Sequence, residues 1–103
     1  MKALEGINIV EISGVGCPGC MAAMPEARQA AEELGVGFVI IDAEKREDIP
    51  AGWSIERVPA IFLADGETEI FKCYGFQPEE ILYLCAEDAL RKYLSAKGES
   101  TPS

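Results

Sequence analysis

The feature that most constrains the fold of this chain is a C-x-x-C motif at residues 17–20, with the sequence Cys-Pro-Gly-Cys. An apolar run at residues 7–12 predicts a buried strand, and small residues at 13–16 predict a turn after it. From residue 18 to residue 34 the composition is that of a helix. The motif is therefore predicted to lie where a strand runs into a helix, a position that suits dithiol chemistry.

The two cysteines of the motif are predicted to be chemically unequal. Proline is favoured at the first helical position, because its missing N–H would be unpaired there, so Pro18 places Cys17 at or near the N-cap. The free N–H groups and the positive end of the helix dipole favour a thiolate, so we expect the pKa of Cys17 to fall below its ordinary value. Cys20 lies one turn along the same face, and its sulfur can reach Cys17 to close a disulfide. Gly19 has no side chain and lets a partner approach closely.

Zinc binding and a structural disulfide are the other two uses of a C-x-x-C motif. A zinc site needs a second pair of ligands, but the chain has no histidine, and its other cysteines, Cys73 and Cys85, are twelve residues apart. A disulfide across so short a loop constrains little of the unfolded chain. Redox use of the motif is therefore the preferred interpretation.

Length and charge narrow the class of protein. The 103 residues suffice for one domain, predicted at residues 1–96, with a short polar tail at 97–103. The formal charge of −9 argues against nucleic acid and anionic membranes as partners, and no apolar run approaches the ~20 residues of a membrane span. The N-terminus shows no secretory signal. We therefore expect the protein to be cytoplasmic. In the cytoplasm cysteines are kept reduced, and a C-x-x-C motif is more often catalytic than structural. We also expect a monomer.

The helix after the motif is predicted to turn one apolar stripe toward the sheet. Pro25 lies inside this helix, where it removes a backbone hydrogen bond and should kink the axis. The predicted stripe comprises Met21, Met24, Ala27, Ala31 and Leu34.

Three more strands are predicted further along the chain. Residues 38–41 are continuously apolar, which is typical of a central strand covered on both faces. Residues 60–63 and 68–74 predict two strands joined by a hairpin turn at Asp65-Gly66, the second of them at the sheet edge.

Two segments are expected to cover the sheet. Residues 43–57 are irregular, and their Trp53 and Ile55 are expected to lie on its second face. The last helix is predicted over residues 78–95 with a wide apolar face. That face comprises Ile81, Leu82, Cys85, Ala86, Ala89, Leu90, Tyr93 and Leu94.

The order of elements is βαβ followed by ββα. It predicts an α/β domain with a central four-stranded mixed sheet and both main helices on one face. With the motif, this order resembles the thioredoxin superfamily over about residues 6–95, and thioredoxin more than glutaredoxin. The resemblance implies a thioredoxin-like fold and a thiol–disulfide oxidoreductase that needs no cofactor beyond its own redox-active disulfide. It also implies two kinds of partner, namely client proteins with disulfides and an upstream thiol reductase.

The resemblance also assigns roles to individual residues. Cys17 matches the nucleophile of the redox pair and Cys20 the resolving thiol. Glu11 falls six residues before Cys17, where the family has a buried acid that can take the proton from the resolving thiol. Val58 and Pro59 match a cis-proline segment whose backbone would pair with an extended substrate. The implied substrate-binding residues are Gly16, Pro18, Gly19, Val58, Pro59 and Gly75.

Several positions depart from the family pattern. Gly16 stands where a tryptophan usually precedes the first cysteine, the Pro18-Gly19 order is the reverse of the usual one, and Phe38 replaces a lysine that partners the buried acid. These departures leave the substrate, the reduction potential and the upstream reductase open. The other functions considered are a disulfide oxidase or isomerase, and a carrier of a soft metal or persulfide.

Three residues outside the motif have an open role. Arg57 could steer acidic partners, although a plain exposed arginine is the simpler interpretation. Cys85 is expected to be inert in the core, and Cys73, on an edge strand, is a candidate regulatory thiol.

Overall fold

A computed structural model of the chain describes residues 4–98. The order of the elements is βαβ followed by ββα, as predicted, and the α/β fold is confirmed. The strands are β1 (Ile7–Ser13), β2 (Gly37–Asp42), β3 (Ala60–Asp65) and β4 (Thr68–Tyr74), and the helices are α1 (Pro18–Leu34), α2 (Glu79–Ala96) and a short 3-10 helix at Arg46–Asp48. The predicted polar tail lies, from residue 99 onward, outside the described residues.

The four strands form one mixed sheet in the order β2-β1-β3-β4. β1 is parallel to β2 and antiparallel to β3, and the β3–β4 hairpin turns at Asp65-Gly66 as predicted. The prediction that residues 38–41 form a central strand is wrong, because β2 lies at an edge and its Ile40 is 44% exposed. Phe38 packs against the core on one face of the sheet and Val39 against the cluster on the other, so the apolar run reports contacts on both faces and does not require a strand on each side.

Both helices lie on one face of the sheet, as predicted. Four alanines face the core from α1, so the helix backbone approaches the strands closely. The core on this face comprises Ile9, Ala23, Ala27, Ala30, Ala31, Ile61, Leu63, Leu82 and Ala86.

The buried stripe of α1 is rotated from the predicted one. Cys20 is 1% exposed at the start of the stripe, whereas Met21 is 72% exposed and Met24 is half-buried. The disulfide fixes the first turn of α1 with position 20 facing inward. Position 21 lies about 100° further round the helix and therefore faces outward, which is why the predicted stripe misplaced the methionines. Ala27 and Ala31 face the core as predicted.

The predicted apolar face of α2 was too wide. Leu82 and Ala86 are buried, but Ile81 and Cys85 are exposed, so the expectation that Cys85 lies in the core is wrong. A helix that rests on a sheet and one neighbouring helix buries a narrower stripe than its apolar composition suggests.

The second face of the sheet is covered by the segment between β2 and β3. Trp53 stacks on Phe62 with ring centres 4.2 Å apart and donates its Nε1–H to the carbonyl oxygen of Glu67 at 2.9 Å. Ile55 packs on the same cluster, so the predicted positions of Trp53 and Ile55 are confirmed. Within residues 4–98, neither helix is long and apolar enough to cross a membrane.

Candidate active site

The active-site candidate is the turn from β1 into α1, where Cys17 and Cys20 form a disulfide with a Cα–Cα distance of 5.2 Å. Cys17 is the N-cap of α1, and Pro18 is the first helical residue. The backbone N–H of Cys20 points at Sγ of Cys17 at 3.1 Å. A charge on this sulfur would therefore meet an N–H donor and the positive end of the helix.

The two sulfurs differ in their access to solvent. Cys20 is 1% exposed, and its Sγ accepts a hydrogen bond from the backbone N–H of Gly14 at 3.4 Å. Cys17 is half-buried. Of the two motif residues, Cys17 is therefore the one that a partner from solution can contact.

Glu11 is a buried carboxyl on the face of β1 that α1 covers. It is 1% exposed and pairs in register with Ile40 on β2 and Ile61 on β3. Burial raises the pKa of Glu11 to about 7, because the charged form is poorly solvated there. Its Oε1 has no hydrogen-bond partner among the described residues. The carboxyl is thus able to hold or release a proton near neutral pH.

The segment at Val58 and Pro59 lies against the active-site turn. The peptide bond between them is cis. A methyl group placed at Gly19 would lie 3.7 Å from Cδ of Pro59, and the carbonyl oxygen of Pro59 accepts from the backbone N–H of Gly75 at 2.8 Å. The structure therefore brings together the motif, the proline segment and Gly75.

Glycines in the turn allow this close packing. A methyl group placed at Gly14 would lie 3.0 Å from Cγ2 of Val58. Gly16 has a φ of +67° and Gly75 a φ of +83°, in a region that other residues rarely adopt. Gly14 was missed as a site residue, since its contact with Val58 joins positions that are far apart in the sequence.

Exposed apolar side chains flank the disulfide. Val15 is 79% exposed two residues before Cys17, and Met21 is 72% exposed directly after Cys20. Phe76, which follows Gly75, is 48% exposed. Met21 was predicted in the buried stripe of α1, and neither Val15 nor Phe76 was predicted to bind a partner.

The other two cysteines are free thiols away from the motif. Cys73 on β4 is half-buried, and burial together with the neighbouring Cys85 thiol raises its pKa to about 11. Cys85 is exposed on α2. Among residues 4–98, no three residues of the types His, Cys, Asp and Glu are grouped so that they could hold a metal ion.

Comparisons with known proteins agree with this geometry. Residues 7–81 match the family model described as a thioredoxin domain. A curated thioredoxin from Mycoplasmopsis pulmonis is 26% identical over 89 residues, which are 79% of this chain and 82% of that protein.

Solved structures share the fold at lower identity. Chloroplastic thioredoxin z superposes with a TM-score of 0.65 at 22% identity, over 84% of this chain and 80% of the other. Thioredoxin from Fasciola hepatica superposes with a TM-score of 0.66 at 20% identity, over 82% of this chain and 81% of the other. Thioredoxin from Aeropyrum pernix superposes with a TM-score of 0.63 at 22% identity, over 82% of this chain and 75% of the other.

Proposed function

Because this chain belongs to the thioredoxin domain family and is a thiol–disulfide oxidoreductase, we propose that it works as a reductase of protein disulfides. The observation that carries the proposal is the contrast between its two sulfurs. Cys17 is accessible at a helix N-cap, whereas Cys20 is buried on the side of the helix that faces the strand of Glu11. In such a pair, the accessible cysteine can attack a client disulfide and the buried cysteine can then release the client from the mixed disulfide.

The proposed reaction exchanges one disulfide for another. The Cys17 thiolate of the reduced protein attacks a client disulfide, and the first client sulfur leaves as a thiolate. Cys20 then attacks the Cys17 sulfur of the mixed disulfide, and the second client sulfur leaves. The protein gives up two electrons to the client and ends as the Cys17–Cys20 disulfide, and the two client thiolates take up protons from solvent.

Two features of the site support these roles. The N–H of Cys20, 3.1 Å from Sγ of Cys17, favours the thiolate that attacks first. The buried carboxyl of Glu11, with a pKa raised to about 7, is the proposed acceptor of the proton from Cys20.

The proposed clients are proteins that present a disulfide in an extended segment. The cis peptide leaves Val58 beside the disulfide, where its backbone is the proposed pairing partner of that segment. The exposed side chains of Val15, Met21 and Phe76 offer apolar contact around it. An upstream thiol reductase would return the protein to its dithiol form. The cytoplasmic location and the monomeric state stay predictions.

The alternatives differ in how well the site supports them. An oxidase or isomerase would use the same sulfurs and differ in reduction potential, which in related redox proteins spans about −270 to −120 mV. A soft-metal or persulfide carrier that recruits Cys73 has no observation in its favour, because among residues 4–98 Cys73 does not form a metal-binding group with the pair.

Reduction of insulin disulfides, with dithiothreitol as the electron donor, tests the proposal. The wild-type protein should accelerate insulin precipitation above the dithiothreitol blank, and Cys17→Ser, which removes the attacking sulfur, should not. A wild-type rate equal to the blank would contradict the reductase function. A reduction potential near the oxidising end of the family range would instead assign the protein to disulfide formation.

A further inference from the structure

A cavity of about 460 Å³ opens beside the segment that carries Val58. It lies in the loop that covers the second face of the sheet, and its lining includes Arg46, Trp53, Ile55 and Arg57. Val58 lines it as well, and the same residue precedes the cis-proline. The cavity therefore adjoins the surface on which the client of the proposed reductase would lie.

The charges in this cavity are unexpected in so acidic a chain. Arg46 and Arg57 line it together with a single carboxylate, that of Glu56. Within residues 4–98, the ion pairs are made by cations of α2 and its C-cap, and neither cavity arginine takes part in one. The chain carries 18 acidic and 9 basic residues, so carboxylates outnumber cations two to one, and the lack of an ion pair at these two arginines is not due to a shortage of carboxylates. Both arginines are exposed, so an anionic group from solution can reach them.

An aromatic side chain holds Arg57 in position. The guanidinium carbon of Arg57 lies 5.4 Å from the centre of the Tyr74 ring, within the range of a cation–π contact. The Tyr74 hydroxyl donates to the carbonyl oxygen of Ser54 at 2.9 Å and accepts from the backbone N–H of Glu56 at 3.2 Å. Tyr74 is thus anchored at both ends of this short segment, and its ring also lies 5.4 Å from Nζ of Lys72, which adds a third cation beside Arg57.

Val58 links the cavity to the disulfide. Its Cγ2 is the atom that a methyl group at Gly14 would meet at 3.0 Å, and the same methyl group would lie 4.0 Å from Cβ of Cys17. A client whose cysteine reaches Cys17, and whose backbone runs along Val58, therefore passes beside Arg57.

We propose that this cavity is a client subsite for an acidic side chain adjacent to the client's disulfide, with Arg57 as a specificity-determining residue and Arg46 as a second cation. The inference rests on the proposed reductase function and leaves its redox step unchanged. A carboxylate accepts two parallel hydrogen bonds from a guanidinium, and a basic side chain at the same place is repelled. At physiological ionic strength, charges more than ~8 Å away are largely screened, so a bound carboxylate responds mainly to the charges that line the cavity, which are two arginines and Glu56.

The test uses disulfide dimers of acetylated tripeptide amides. Each peptide has a central cysteine flanked on both sides by glutamate, glutamine or lysine. The second-order rate at which the reduced full-length protein cleaves each dimer is measured by chromatography at constant ionic strength. The glutamate dimer should react about fivefold faster than the glutamine dimer, and the lysine dimer more slowly than both, as expected for one exposed ion pair.

Two variants with the same change of charge separate a local effect from a general one. Arg57→Gln should abolish the preference, so that the variant cleaves the glutamate and glutamine dimers at equal rates. Arg28→Gln is the matched control, since Arg28 lies on α1 over the Phe38 ring and outside the cavity. It should leave the preference for glutamate unchanged.

The outcomes distinguish the two proposals. If wild-type protein cleaves the glutamate and glutamine dimers at equal rates, or if Arg28→Gln lowers the preference as much as Arg57→Gln does, the acidic subsite is refuted and the reductase function stands. If none of the dimers is cleaved, the reductase function fails and the subsite fails with it.

Discussion

Gly14 and Val58, which are 44 residues apart in the sequence, pack so closely that a methyl group on Gly14 would lie 3.0 Å from Cγ2 of Val58. The contact sets the distance between the turn that carries Cys17 and the segment proposed to bind the client. The arrangement of the site thus depends on Gly14 having no side chain.

Gly14→Ala is expected to destabilise the protein by about 1 kcal/mol, because the added methyl group overpacks the contact with Val58. Val58→Ala removes Cγ2, so the double variant should lose less stability than the sum of the two single variants. Urea unfolding of all four proteins measures this coupling. If the two losses of stability are strictly additive, the residues at positions 14 and 58 are not energetically coupled.

Glu11 should make the folded protein less stable as the pH rises. The pKa of Glu11 is raised from 4.5 to about 7 by burial, so between these values the unfolded chain has released a proton that the folded chain still holds. Stability therefore falls as the pH rises through this range, by about 3 kcal/mol in total for a shift of this size.

Glu11→Gln removes this titration and keeps a side chain of similar size. Unfolding by urea at pH 5 and at pH 8, with the disulfide intact, should show a smaller loss of stability for the variant than for the wild type. All other carboxyls are common to both proteins, so the difference isolates Glu11. Equal losses would mean that Glu11 ionises in the folded state as it does in the unfolded chain.

Glu11→Gln should also change the kinetics of disulfide exchange. If the carboxylate takes the proton from Cys20, the variant should release mixed disulfides more slowly, and its rate should lack the inflection near pH 7 that we expect for the wild type. Stopped-flow rates between pH 5 and pH 9 measure this. A variant with the wild-type pH profile would leave Glu11 without a catalytic role.

The two free thiols should differ in reactivity while the Cys17–Cys20 disulfide is intact. Burial and the neighbouring Cys85 thiol raise the pKa of Cys73 to about 11, and a thiol must lose its proton to react. Iodoacetamide at pH 8 should therefore label the exposed Cys85 well before Cys73. Peptide mapping by mass spectrometry measures the order, and earlier labelling of Cys73 would contradict the burial argument.

Much of the fold could be predicted from the sequence because its signals are local. Pro18 at a helix start and Gly35 at a helix end gave the limits of α1, and Asp65-Gly66 gave the hairpin. The strand pattern left Glu11 free to face either the core or solvent, and its burial was implied by the resemblance to a known family.

The remaining errors concern relations between elements. Ile40 lies on an edge strand because strand order depends on which strands pair, and an apolar run reports only which faces are covered. Met21 and Cys85 are exposed because the rotation of a helix is set by what it packs against. The cavity at Arg57 was missed because it is formed by a folded loop without regular structure.

The central claim is that Cys17 attacks the client and Cys20 releases it. The most direct measurement compares two variants, each with one motif cysteine replaced by serine. It is the yield of mixed disulfide that each forms with a disulfide-containing client through its remaining motif cysteine, mapped by mass spectrometry without reductant so that Cys73 and Cys85 are counted apart. Cys20→Ser keeps the accessible nucleophile and removes the resolving thiol, so mixed disulfides through Cys17 should accumulate. Of the motif, Cys17→Ser keeps only the buried Cys20 sulfur and should accumulate few mixed disulfides through it. A higher yield from Cys17→Ser than from Cys20→Ser would contradict the account.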